Sequence, residues 1–352
     1  VSFEPASQLR PVHGSPAEVI EAVRAWLEAE PEPEPLIVET SGSTGQPKRV
    51  LLSRAAMLAS ARATHERLGG EGQWLLALPA SYVAGLQVVI RSLVGGSRPV
   101  VVAEHAGLAD AVAAMTGPRR YASLVPTQLH RMLESESDTA ALAELDAVLL
   151  GGGPIDPALR GSAEGQGIRL VATYGASETS GGCVYDGRPL DGVRLEIDDE
   201  GRILIGGPTL FDGYEGDPEL TAQVLRDGWF VTADLGSLEG GVLRVAGRID
   251  DVVISGGTNI PGPSVAGRLR QHLAIEHAEV IGVPDEEWGQ RLVAFVVTDS
   301  DLTLDQVRDW VSTEHPRAWA PRQLLRIGEI PLLDNGKPDR SRLRTMATEA
   351  LS

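Results

Sequence analysis

The run Thr40-Ser41-Gly42-Ser43-Thr44-Gly45-Gln46-Pro47-Lys48-Arg49-Val50 concentrates glycine and hydroxyl side chains and ends on basic residues. A loop of this kind can wrap a phosphate chain: backbone N–H groups and hydroxyls donate to phosphate oxygens, and Lys48 adds positive charge. It lacks the spacing of the common P-loop, in which four residues separate the first glycine from a Gly-Lys-Ser/Thr ending. The same residue types also build ordinary turns, so on this segment alone a phosphate cradle and a plain turn both stand.

The elements around the loop suggest what must position it. An apolar strand, residues 36–38, precedes it, and a helix-like stretch begins near Ser53. Upstream, Val19, Ile20, Val23, Trp26 and Leu27 recur at helical spacing within residues 16–30, followed by a stiff Pro-Glu connector at 31–35. Short apolar stretches at 74–78, 100–103, 147–150 and 170–172 alternate with helical patterns, which predicts an α/β domain. From about Asp191 the texture changes to short strands with Asp-Gly and Gly-Gly turns, at 194–197, 202–205 and 242–245, as in a β-rich subdomain. A boundary is expected near Arg248, dividing residues 1–248 from residues 249–352. The second part mixes strands at 280–282 and 292–297 with a helix at 304–312, a small α+β domain.

Composition narrows the function. With 31 basic against 49 acidic residues the net charge is −18, which argues against a broad attraction to nucleic acid or anionic membrane, so an anionic ligand must be held locally. One cysteine, Cys183, excludes an intramolecular disulfide framework and a cysteine-rich zinc site, and fits a reducing compartment. The chain shows neither a signal segment at its start nor an apolar run long enough for a membrane span, and a cytoplasmic location is expected. His65, His105, His130, His272, His277 and His315 have no metal-ligand spacing and read as surface or cap residues. Cys183 has no histidine near it in sequence and reads as a packing residue.

Four further segments follow the loop: Tyr174-Gly175-Ala176-Ser177-Glu178-Thr179, Gly228-Trp229-Phe230-Val231-Thr232-Ala233-Asp234, Gly247-Arg248-Ile249-Asp250-Asp251 running on to Gly256-Gly257, and Asn335-Gly336-Lys337. Together, and in this order, the segments resemble the signatures of the adenylate-forming superfamily of acyl-CoA synthetases, luciferases and peptide-synthetase adenylation domains. They correspond to its phosphate-binding loop, its Tyr-Gly-x-x-Glu motif, its ribose-binding motif, its hinge, and its C-terminal catalytic-lysine motif. The likeness runs from residue 36 to the C-terminus. The region before the loop is much shorter than in most relatives. The fold implied is α/β: a large N-terminal domain of α/β layers with a β-rich subdomain, and a small mobile α+β C-terminal domain.

The resemblance implies a two-step reaction. A carboxylate attacks the α-phosphorus of ATP and expels pyrophosphate; the acyl group of the acyl-AMP then passes to coenzyme A. The first step gathers several anionic groups in line, so position and charge dominate. By resemblance, Ser41, Gly42, Ser43, Thr44, Gly45, Lys48, Gly152, Gly153, Pro154, Tyr174, Gly175, Ser177, Glu178, Thr179, Asp234 and Arg248 bind ATP. Glu178 is the implied Mg²⁺ ligand, since a hard cation bridging phosphate oxygens takes a carboxylate. Thr179 is implied to bond the α-phosphate, Asp234 to accept both ribose hydroxyls, and Arg248 to touch the same ribose. Lys337 is the implied catalytic cation, acting with Thr179 and Glu178; its ammonium gains strength as charge redistributes in the transition state. Rotation of the small domain about Asp250 would then withdraw Lys337 and bring in Gly256 and Gly257, whose missing side chains admit the coenzyme A arm. Each residue also has a bland use: Glu178 as a solvated loop acid, Asp234 and Asp250 as turn acids, Tyr174 as core packing, Gly256 and Gly257 as a hairpin turn, Lys337 as an exposed lysine. The order of the segments weighs against these.

Within the superfamily the chain most resembles the o-succinylbenzoate-CoA ligases of menaquinone biosynthesis, through Leu78-Pro79-Ala80-Ser81-Tyr82-Val83-Ala84-Gly85-Leu86, Leu124-Val125-Pro126-Thr127-Gln128-Leu129 and Gly181-Gly182-Cys183-Val184-Tyr185-Asp186-Gly187. The acid site implied comprises Tyr82, Arg91, Gly151 and Tyr174. A dicarboxylate needs a receptor for the group that is not activated; Arg91 is either that receptor or a helix-surface arginine. Many relatives carry histidine where this chain has Tyr82, so that histidine's contact does not transfer. Residues 260–269 lack the glutamate that usually follows the hinge-domain glycines. The alternatives are another acyl- or aryl-CoA synthetase, a stand-alone amino-acid adenylation enzyme, and, from another class, a nucleotide-binding regulatory protein without turnover, for which a retained Lys337 would have no use.

Overall fold

The structure, a computed structural model, describes residues 9–40, 47–333 and 336–351, without the side chains of Asp250 and Leu351. By packing, the chain forms two compact units, Val1–Thr232 with Leu238–Arg244 and Ala233–Ser237 with Val245–Ser352. Asp234 and Arg248, which the expected boundary puts in the N-terminal part, therefore pack with the second unit.

The first unit is built on a seven-stranded sheet, ordered Val100–Val101, Gln73–Leu76, Arg120–Leu124, Ala147–Leu150, Leu170–Ala176, Gly181–Tyr185 and Arg188–Pro189. The first five strands are parallel and the last two turn antiparallel. Gln73–Leu76 and Ala147–Leu150 are buried at every position, as strands covered on both faces must be. Alternation along the strands splits the core in two. Trp74, Leu76, Tyr121 and Leu149 pack with residues of the helices Pro16–Glu28, Arg54–Leu68 and Val83–Val94. Leu75, Ala122, Leu124, Val148 and Leu150 pack with residues of Leu108–Ala113, Pro126–Leu133, Glu136–Ala143 and Pro157–Gly165. The result is a three-layer α/β arrangement, as expected.

Local chemistry sets the helix ends. Ser15 and Glu18 form a capping box at the start of Pro16–Glu28. Ser53 caps Arg54–Leu68, whose C-terminus closes on Gly69 in the left-handed region at φ 89°. Between the glycine-rich segment and that helix the chain first forms a strand, Lys48–Leu52, antiparallel to Leu36–Thr40 with Thr40 opposite Lys48. The segment thus joins the two strands of a hairpin rather than a strand and a helix. Gly213–Tyr214 adds a third strand against Lys48–Leu52. The β-rich part is a five-stranded sheet ordered Arg194–Ile197, Arg202–Gly206, Trp229–Glu239, Leu225–Arg226, with Val242–Arg248 also paired to Trp229–Glu239.

In the second unit a sheet ordered Thr258–Pro261, Val252–Ser255, Gly289–Val297, His277–Asp285 carries Gln323–Arg326 parallel to Gly289–Val297. Leu292, Ala294 and Val296 face a core shared with residues of Gly262–Arg270 and Leu304–Ser312. Val293 and Phe295 face the other way, against Leu343 and Ala347 of Arg340–Leu351. Among the described residues no helix is long and apolar enough to cross a membrane.

One histidine departs from the surface reading. His65 is 4% exposed, accepts from Trp74 Nε1 at 3.2 Å, and lies close enough to the Arg91 guanidinium to feel its charge. Burial first, and Arg91 second, push its pKa down from 6.5 to about 4. Above pH 6.5 the group is neutral both folded and unfolded, so it contributes no pH dependence. As pH falls from 6.5 towards 4 only the unfolded chain takes the proton, and stability is lost at up to about 1.4 kcal/mol per pH unit. We expect His65→Gln to flatten that part of the stability curve in denaturant titrations between pH 6.5 and 4; an unchanged slope would show that His65 titrates normally.

Candidate active site

Because the central strands run parallel, the chain leaves them at one common edge, the usual ligand edge of an open α/β sheet. There the first unit collects residues 79–82, 125–128, 151–154 and 174–178, each following or closing a strand. Gln128 ties two of these exits together: its Nε2 donates to the Ala77 carbonyl at 2.7 Å and its Oε1 accepts from Val125 N–H at 3.1 Å. Tyr82 is the N-cap residue of Val83–Val94. A Cβ at Gly151 would run into the hydroxyl and carbonyl of Thr173, and one at Gly175 into the Gly181 carbonyl, so both glycines allow neighbouring backbones to approach. Gly152 adopts φ 84°, and nothing lies within 4 Å of a Cβ at Gly153. Tyr174 packs half-buried against the core, opposite Val184 and just before a β-bulge between Tyr174 and Gly175. Pro154 follows in the same exit loop.

The strand Leu170–Ala176 ends in a 3-10 turn, Ser177–Thr179, and reverses through Ser180 at φ 54°. This turn exposes part of Glu178 and buries Thr179 completely. Thr179 Oγ1 accepts from Ala176 N–H at 2.9 Å and donates to the Gly181 carbonyl at 2.7 Å. Its hydroxyl is thus engaged within the turn, and Ser177 is the half-exposed hydroxyl beside Glu178. Tyr214 Oη donates to Glu178 Oε1 at 2.7 Å, and the Glu178 carbonyl accepts from Phe211 N–H at 2.9 Å. Lys48 Nζ lies 5.4 Å from the centre of the Tyr214 ring. Lys48 and Glu178 are thus gathered around one phenol. Ser41, Gly42, Ser43, Thr44 and Gly45 lie outside the described residues.

Arg91 is neither on a helix surface nor paired with an acid. It is 3% exposed, its guanidinium sits 5.1 Å from the Trp74 ring, and the Tyr185 phenol lies near enough to influence its charge. That phenol pairs with Thr64 Oγ1 at 2.9 Å. Arg91 Nε is buried without a hydrogen-bond partner, and among the described residues no carboxylate pairs with this guanidinium. Burial pulls its pKa below the usual arginine range. One turn earlier on the same helix face, Gln87 Nε2 donates to the Ser180 carbonyl at 2.9 Å, which binds the Arg91 helix to the turn carrying Glu178.

The second unit holds the remaining residues. Asp234 and Arg248 form an ion pair at 3.1 Å. Lys337 stands exposed in a hairpin closed by the Leu332–Pro338 bridge, with Leu333 N–H donating to the Lys337 carbonyl at 2.8 Å. Arg340 at the base of this hairpin ion-pairs with Asp251. Asp250 lies in the 3-10 turn Ile249–Asp251. Gly256 and Gly257 form the left-handed two-residue turn between Val252–Ser255 and Thr258–Pro261, at φ 56° and 75°. A Cβ at Gly256 would meet the Trp288 ring at 2.8 Å, whereas nothing lies within 4 Å of one at Gly257.

Sequence reasoning missed Tyr214 and the nearness of Tyr185 to Arg91. Tyr214 sits in a two-residue strand, and nothing in its neighbours marks the carboxylate it holds. Cys183 is fully buried, and burial pushes its thiol up to about 12. At pH 8 the native protein is therefore expected to resist iodoacetamide over hours and to react after unfolding, as followed by mass spectrometry; rapid native alkylation would contradict the burial.

Comparison with known proteins places this geometry. Residues 27–215 match the AMP-binding enzyme family, and residues 265–337 match the AMP-binding enzyme C-terminal domain. A Mycobacterium tuberculosis protein named probable 2-succinylbenzoate–CoA ligase is 46% identical over 327 residues, covering 90% of this chain and 85% of that protein. The o-succinylbenzoate CoA synthetase (MenE) from Bacillus subtilis, solved with the acyl-adenylate intermediate OSB-AMP, superposes with a TM-score of 0.74 at 27% identity, over 88% of this chain and 69% of that one. The same Bacillus subtilis enzyme solved with ATP and magnesium ion gives 0.74 at 26% identity, over 87% and 69% of the two chains. The half-buried glutamate turn, the parallel-sheet edge and these likenesses agree: the chain belongs to the AMP-binding enzyme family.

Proposed function

We propose that the protein is an ATP-dependent acid–CoA ligase that converts o-succinylbenzoate to o-succinylbenzoyl-AMP and then to o-succinylbenzoyl-CoA, releasing pyrophosphate and AMP. The observation that carries the choice of acid is Arg91. A guanidinium buried without a carboxylate is costly unless a ligand completes it, and a substrate with a second carboxylate does so. The 46% identity to the Mycobacterium tuberculosis protein supports the same acid.

In this reading the Arg91 guanidinium, steadied by Tyr185 and Trp74, receives the carboxylate that does not react. Lys48 and Ser177 face the triphosphate, and Thr179 keeps the Glu178 turn in shape. Glu178 offers one carboxylate oxygen beyond the one that Tyr214 occupies, and this oxygen donor suits a magnesium ion that otherwise keeps water and phosphate ligands. When bound, the magnesium neutralises charge on the phosphate oxygens. Asp234 and Arg248 act on the ribose, and Lys337 supplies the cation for the adenylation step. Asp250 serves as the hinge of the C-terminal part, Gly257 leaves room for coenzyme A, and a cytoplasmic setting suits these co-substrates.

A coupled assay tests the proposal directly: o-succinylbenzoate, ATP, Mg²⁺ and coenzyme A should yield AMP and a thioester, whereas pyrophosphate exchange driven by an amino acid would sink it. Lys337→Ala should slow acyl-AMP formation by about a hundred- to a thousandfold while supplied acyl-AMP still reacts with coenzyme A; equal loss of both steps would count against its role. Arg91→Met should raise the KM for o-succinylbenzoate about a hundredfold, with the KM for ATP unchanged. An unaltered KM for the acid would remove Arg91 from the site.

A further inference from the structure

The Tyr214 phenol is buried, polar and aimed at a carboxylate, and no step described above uses it. It lies 5% exposed on Gly213–Tyr214, the strand that pairs with Lys48–Leu52. The segment around it is pinned on both sides. Asp212 N–H donates to the Leu51 carbonyl at 2.9 Å and Glu215 N–H to the Arg49 carbonyl at 2.8 Å, which fixes it to the hairpin. Phe211 N–H donates to the Glu178 carbonyl at 2.9 Å, which fixes it to the glutamate turn. Tyr214 N–H donates to Thr221 Oγ1 at 2.8 Å, and the Phe211 ring meets the Tyr214 ring edge-on at 5.1 Å. The side chain therefore has little freedom, and its hydroxyl reaches Glu178 Oε1 at 2.7 Å.

We propose that Tyr214 is a positioning residue for Glu178: its phenol occupies one carboxylate oxygen and so orients the other towards the magnesium of the bound nucleotide. The proposal rests on the reading of Glu178 as the magnesium ligand. A carboxylate with no second partner rotates about its last side-chain bond; one held by a fixed donor presents its free oxygen in one direction. Lys48, over the ring face, sets the same phenol against the residue that closes the glycine-rich segment. Register in the hairpin and orientation at Glu178 are thereby coupled through one side chain.

Tyr214→Phe keeps the ring and removes only the donor. Mn²⁺ binding in the presence of a non-hydrolysable ATP analogue, followed by electron paramagnetic resonance, should weaken about 10- to 100-fold. The Mg²⁺ concentration for half-maximal adenylation should rise in step, excess Mg²⁺ should restore the rate, and the KM for the acid and the melting temperature should stay near those of the parent. Unchanged Mn²⁺ binding overturns the proposal. A rate loss that Mg²⁺ does not restore, with Mn²⁺ affinity intact, overturns it equally, since it marks a packing role. Glu178→Gln separates the two layers of the argument. If that variant also binds Mn²⁺ like the parent, the reading of Glu178 has failed; if it loses binding while Tyr214→Phe keeps it, the role of Tyr214 alone has failed.

Discussion

Parallel strands share a direction, and the gathering of exit loops in the first unit follows from that constraint. Five strands in parallel deliver their exit loops to one edge, so segments far apart in sequence meet without any local signal that they will. Covering both faces with helices keeps the strands mostly apolar and leaves most polar chemistry to the exits. The antiparallel return after residue 180 then bends the last exit back on itself. It turns Glu178 outward while Thr179 is consumed in holding the bend.

Charge is handled by placement. A chain with a net charge of −18 is a poor host for nucleotide and acid taken as a whole, yet two cations of the first unit near the candidate site sit on aromatic rings: Lys48 by Tyr214 and Arg91 by Trp74. The rings hold these side chains in place without neutralising them, as a nearby carboxylate would.

Period and punctuation were enough to read the elements that face a core. The strand at 147–150 and the helix at 304–312 have the ends that their apolar pattern suggests, and the helix read over 16–30 stops two residues sooner. The strand Lys48–Leu52 escaped notice because its first residues belong, by composition, to the glycine-rich run, and only pairing with Leu36–Thr40 makes them a strand. The candidate site could be proposed from sequence wherever an expected role needs a particular residue type at a motif position, as with Glu178, Asp234 and Arg248. It was not readable where a role depends on a partner distant in sequence. Tyr214 is 36 residues from Glu178, and Arg91 is brought to Tyr185 only by the sheet. His65 looked like a surface residue because one polar side chain in a helix carries no mark of the tryptophan that will cover it.

The solitary guanidinium in the core has one more consequence. Arg91 surrenders its water when the chain folds, before any substrate arrives, so the loss of hydration is charged to the stability of the empty protein instead of to the binding event. Under the proposed function, an incoming carboxylate would meet a guanidinium already stripped of solvent. In the proposed role, that disadvantage of the unliganded protein would be relieved by a ligand with a second carboxylate, a trade of resting robustness for discrimination between acids with one charge and acids with two.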